Sequence, residues 1–189
     1  MPQAMPILKP ERSIFPEDLL EPGQAEGDGR QWWAVYTKAR QEKALARDLL
    51  QHEVPFYLPL VARTILVRGR RVESLLPLFS GYVFLRADED ERVKALKSNR
   101  TSQWIEVADQ DKLRRDLGHV HRLILAKAPI TVEQRLAPGT RVCVKGGPFM
   151  GVEGTVEQCR GACRLIVEVT FLQQSVSVQI DELLVEKLG

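Results

Sequence analysis

The chain predicts two modules in series, an α+β layer fold followed by a small all-β barrel. Three observations carry this. Strand-like and helix-like stretches alternate up to about residue 125. After Pro138-Gly139 only short β-patterned runs remain. Between them, residues 126–136 contain Pro129 and polar side chains and read as a linker. The expected organisation is therefore a leader over 1–29, a mixed sheet packed with helices over 30–125, and a barrel over 137–189.

The leader has Pro at 2, 6, 10, 16 and 22 and glycines at 23, 27 and 29, with little periodic apolar content. It is expected to be disordered and acidic. Trp32-Trp33-Ala34-Val35-Tyr36 predicts the first strand. From Lys38 to His52 the spacing turns helical, with Leu45 and Leu49 on one face, and Val54-Pro55 ends it. Phe56 to Leu60 is extended, and 64–67 and 71–76 flank Arg68-Gly69-Arg70 as a hairpin tip. Gly81 to Arg86 is apolar on both faces, as a central strand must be. Asp88 or Asp90 caps a short helix expected to turn Val93 and Leu96 inward. A strand over 103–107 follows, then a helix from Asp109 with Leu113, Leu117, Val120 and Ile124 on its inner face. The barrel strands are expected near 141–145, 155–159, 164–172 and 176–180.

Composition excludes several classes. With 44% apolar and 28% charged residues, the chain is globular in type. No apolar run reaches the roughly 18 residues of a membrane span, and no h-region follows Lys9 and Arg12. Three cysteines give no disulfide framework, so a reducing cytoplasm is the expected location. The net charge of +2 hides an asymmetry. Residues 1–29 carry two bases and six acids, residues 30–76 nine bases and four acids. The second stretch makes a basic field suited to a polyanion.

No catalytic constellation appears. Cys159-x3-Cys163 lacks the second ligand pair that structural zinc needs. His119 and His121 lie two apart on a helix and face different ways. Gly146-Gly147, Gly151 and Gly154 lie between strands and read as turn glycines. The expectation is a binding protein without metal or cofactor, and not an enzyme.

Trp32-Trp33-Ala34-Val35-Tyr36, Phe56-x-x-Pro59 and Pro77-Leu78-Phe79-Ser80-Gly81-Tyr82-Val83-Phe84-Leu85 resemble the N-terminal domain of NusG-type transcription factors. Pro138-Gly139-Thr140-Arg141-Val142 and Gly147-Pro148-Phe149-Met150-Gly151-Val152-Glu153-Gly154-Thr155-Val156 resemble the KOW domain, an SH3-like barrel, that follows it in that family. Ile65 to Arg71 is similar to the specialised RfaH branch. Two departures are Ser80 where the family commonly has proline, and the lack of the RfaH His-Thr-Thr element around Glu91 to Ala95.

The resemblance implies an elongation or antitermination factor. Tyr36, Leu78, Phe79, Tyr82 and Phe84 would contact the clamp helices of the largest RNA polymerase subunit. Lys38, Arg40, Arg68, Arg70 and Arg71 would lie near upstream or non-template DNA. Phe171, Leu172 and Gln174 of the barrel would meet a small-subunit ribosomal protein, the termination factor Rho, or both. The protein would act as a monomer. The alternative is an RNA-binding ribosomal or ribosome-assembly KOW protein, which calls for a basic barrel. Residues 137–189 carry five bases against six acids.

Overall fold

In this computed structural model of the chain, residues 11–23, 27–67, 69–133, 139–159, 162–180 and 184–188 are described. The N-terminal module runs β1 (Ile14–Phe15), β2 (Gln31–Thr37), α1 (Glu42–Gln51), β3 (Phe56–Tyr57), β4 (Leu60–Val67), β5 (Arg70–Pro77), β6 (Tyr82–Ala87), α2 (Glu89–Lys97), β7 (Thr101–Glu106) and α3 (Gln110–Leu125). Five of these strands form one antiparallel sheet in the order β1-β3-β6-β2-β7. The doubly apolar β6 is its middle strand, as its sequence requires.

Strand alternation sorts the sheet's side chains. Val35, Phe56, Val83 and Leu85 face α1 and α2 and pack with Leu45, Leu49 and Ala95. Trp32, Ala34, Tyr57 and Phe84 face the other way, onto Leu113, Leu117, Val120 and Leu123 of α3. Strands β4 and β5 leave this sheet and pair only with each other, making a two-stranded arm.

Two expectations for this module need correction. The leader is ordered where it is described. Ile14 and Phe15 add a strand to the edge of β3, and Leu19 and Leu20 are buried in the core beside α3. Arg114 donates to the Leu20 carbonyl at 3.3 Å. Two isolated apolar pairs show no period, yet a sheet edge and a helix face supply their partners. In α2, Val93 and Leu96 are exposed while Glu91 and Ala95 point inward. The cause is at the N-terminus. Asp88 accepts from the Glu91 amide at 2.9 Å, Glu91 accepts from the Asp88 amide at 3.0 Å, and Arg30 clamps the Glu91 carboxylate at 2.7 and 2.8 Å. That reciprocal cap fixes the helix's rotation.

The C-terminal module comprises β8 (Thr131–Glu133), β9 (Thr140–Val144), β10 (Glu153–Cys159), β11 (Ala162–Val169), β12 (Gln174–Ile180) and β13 (Val185–Lys187). They form one antiparallel sheet in the order β13-β9-β10-β11-β12-β8. Single 3-10 turns at Gly147–Phe149 and Thr170–Leu172 link β9 to β10 and β11 to β12. The linker expected over 126–136 is thus not all linker, since Thr131–Glu133 pairs with Ser175–Ser177 of β12. Gly154 marks a close crossing in this sheet. A Cβ there would lie 2.4 Å from the Ile166 carbonyl oxygen.

Candidate functional site

The aromatic residues singled out by sequence occupy adjacent ends of β2 and β6. Tyr36 and Tyr82 are cross-strand partners, and their rings meet edge-on at 5.2 Å. Gly81, with φ +84°, lies directly under the Tyr36 ring, where a Cβ would come within 2.6 Å of it. The turn therefore needs glycine for conformation and for space. Glu42 holds the same turn by accepting from the Gly81 amide at 2.8 Å.

Exposure divides the set. Tyr36 is 42% exposed and Tyr82 half-buried. Leu78, Phe79 and Phe84 are buried, with the two phenyl rings edge-to-face at 6.4 Å. In this conformation those three belong to the core, because β6 alternation turns Phe84 onto the α3 side and Phe79 fills the space beside it.

Of the basic residues, Lys38, Arg40, Arg70 and Arg71 are exposed, and Arg68 lies outside the described residues. Lys38 donates to the Asn99 side chain at 2.8 Å. Arg70 and Arg71 sit at the distal end of the arm, opposite Val67 and Leu66. The arm places an apolar side chain, Leu66, among these charges.

The barrel residues Phe171 and Leu172 are half-buried and pack against the main core. The strand expected near 164–172 stops at Val169, and the 3-10 turn Thr170–Leu172 that follows holds both side chains partly inward. Phe171 lines a cavity of about 250 Å³ with Val107 and Leu113. Gln174 lines another, with Val132 and the base of the arm.

The two modules are joined along α3 by a set of contacts that sequence reading missed. Asp116, His119 and Arg122 recur every three residues on one helix face. Asp116 accepts from the Thr170 amide at 3.2 Å, His119 Nδ1 accepts from the Glu153 amide at 2.8 Å, and Arg122 donates to the Gly151 carbonyl at 2.9 Å. Accepting at Nδ1 requires the neutral imidazole with its proton on Nε2. Burial, then Arg122, holds the His119 pKa below its ordinary value of 6.5. Burial likewise raises the Asp116 carboxyl above its ordinary value. The polar residues Asp116, His119 and Arg122 carry no apolar period, so nothing in the sequence marked this face. His121 packs its ring edge-on to Tyr57 at 5.3 Å.

Among the described residues no His, Cys, Asp and Glu group could hold a metal ion. No described helix is long and apolar enough to cross a membrane.

A family model described as "Transcription termination factor nusG" matches residues 30–137, more than half of the 189-residue chain. No curated protein matches it. Among solved structures, one described as "Domain interaction in Thermotoga maritima NusG" is similar at 18% identity and a TM-score of 0.44, over 85% of this chain and 98% of that one.

Proposed function

Because this chain belongs to the NusG family of transcription factors, we propose that it is an elongation or antitermination factor that docks on the clamp helices of RNA polymerase. The observation that carries this reading is the Tyr36–Tyr82 pair, an aromatic contact surface at the end of a rigid sheet. Tyrosine offers large area at low rotamer cost, which suits an interface anchor. Leu78, Phe79 and Phe84 back that pair from the core and set its position.

A docked factor suppresses pausing if it binds the elongation-competent conformation of the polymerase more tightly than the paused one. Lys38 and Arg40, which follow β2, and Arg70 and Arg71, at the distal end of the arm, supply sequence-blind attraction to upstream or non-template DNA, as does Arg68 by its place in the sequence. The barrel recruits a ribosomal protein or Rho through Phe171, Leu172 and Gln174. In the closed arrangement Phe171 and Gln174 line cavities against the N-terminal module, so that recruitment requires the barrel to move off α3.

The test is binding of the full chain to a reconstituted elongation complex, wild type against Tyr36→Ala. Saturable binding by the wild type and a loss of about tenfold or more in the variant are expected, as for an aromatic hot spot. Wild-type affinity in the variant would remove Tyr36 from the interface. No wild-type binding at micromolar concentration would remove polymerase docking altogether.

A further inference from the structure

We propose that the cleft between the base of the arm, the first turn of α1 and the linker strand β8 binds a phosphorylated nucleotide. The cleft is a cavity of about 700 Å³ at the seam of the two modules. That volume and that location are those of small-molecule sites. Arg40, Leu78 and Gln174 of its lining also enter the docking reading, whereas Lys43, Arg63 and Val132 do not.

The wall chemistry is lopsided. Arg40, Lys43 and Arg63 all line the cavity. Among the described residues none of the three has a carboxylate partner within 4.0 Å, although Arg30, Arg47, Arg86, Arg92 and Arg100 all do. Glu42 is the one acid on the wall, and one of its oxygens already accepts from Gly81. Arg40 and Arg63 are exposed and Lys43 half-buried, so solvent screens much of their mutual repulsion, and an anion seated among them would relieve the rest. The first turn of α1 adds to the field, since Gln41 makes no side-chain cap and the helix N-terminus carries partial positive charge.

The remaining wall is apolar. Leu78 from the N-terminal module and Val132 from β8 face the same space. A ligand that satisfies both halves has an anionic end for the arginines and a flat apolar body for Leu78 and Val132. A nucleoside phosphate has both. Guanidinium groups engage phosphate oxygens in paired hydrogen bonds, so Arg40 and Arg63 would hold the phosphates and Lys43 would act as a point charge.

Calorimetric titration of the full chain with GTP tests this, with sodium phosphate, guanosine and an oligo-dT lacking terminal phosphates as comparison probes. Saturable one-to-one binding of GTP is expected, tighter than phosphate or guanosine alone. Arg63→Glu and Lys43→Glu should each weaken it by about tenfold or more, the loss of a charge-assisted contact. Arg47→Glu, an exposed charge change on the same helix, should leave it within about twofold. The two wall variants lie at separate elements, so a folding defect in one leaves the other to decide. No saturable heat at millimolar GTP overturns the proposal. So does an Arg47→Glu loss equal to that of Arg63→Glu, which would mean diffuse charge. Tighter binding of the oligonucleotide through the same residues would replace a nucleotide site by a strand-binding one.

Discussion

Phe79 and Tyr36 look alike in the sequence, yet the fold gives them opposite roles. The Phe79 side chain is 1% exposed and shares an edge-to-face contact with Phe84. Phe79→Ala leaves a cavity in the core and should cost about 3–5 kcal/mol, of which the ring pair accounts for about 0.5–1.5. Set against a whole-domain stability of about 5–15 kcal/mol, that is at least about a fifth of the total. Tyr36→Ala removes a ring already 42% exposed, so the loss should be about 1–2 kcal/mol. The assay is urea unfolding followed by tryptophan fluorescence. All three tryptophans, Trp32, Trp33 and Trp104, lie in the N-terminal sheet, so the signal reports that module alone. With a urea slope of about 2 kcal/mol per molar, Phe79→Ala should lower the midpoint by about 2 M and Tyr36→Ala by less than about 1 M. A Phe79→Ala midpoint equal to that of wild type would refute the core assignment and return Phe79 to the surface.

Three more perturbations test other parts. Gly154→Ala drives a Cβ into the Ile166 carbonyl, a backbone atom that cannot swing aside, and should destabilise the barrel by about 1–3 kcal/mol in a thermal melt. Leu19→Ala should cost about 2–4 kcal/mol in the urea assay, whereas a disordered leader would give no change. The His119 contact should depend on pH. Its pKa is depressed in the closed form, so the contact is fully present above the ordinary value of 6.5 and is lost as pH falls through the lower folded value. Distance measurement between labels on the two modules should show separation growing on acidification, and His119→Ala should abolish that dependence; an unchanged pH profile in the variant would assign the effect to another group.

Periodic features were legible before the structure. The central position of β6 followed from its apolar faces, α3 from its leucine spacing, and the N-cap of α2 from Asp88. What escaped was set by partners distant in sequence. Leu19 and Leu20 are buried only because α3 lies beneath them. Glu91 turns inward under its cap with Asp88, and Arg30, 61 residues away, meets its carboxylate there. For Tyr36, Leu78, Phe79, Tyr82 and Phe84, sequence grouped the side chains but not their layering, since an aromatic on a two-faced strand reads the same whether helix or solvent covers it. Asp116, His119 and Arg122 bind backbone groups, and a backbone amide leaves no mark in the sequence of its partner.

The pairing of β8 with β12 also sets the leash of the barrel. Helix α3 ends at Leu125 and β8 begins at Thr131, so while β8 stays paired only residues 126–130 join the two bodies. Five extended residues span at most about 17 Å, which confines the barrel to the neighbourhood of α3. A barrel held on that leash re-docks on α3 at high effective concentration, because its surface never leaves the helix's vicinity.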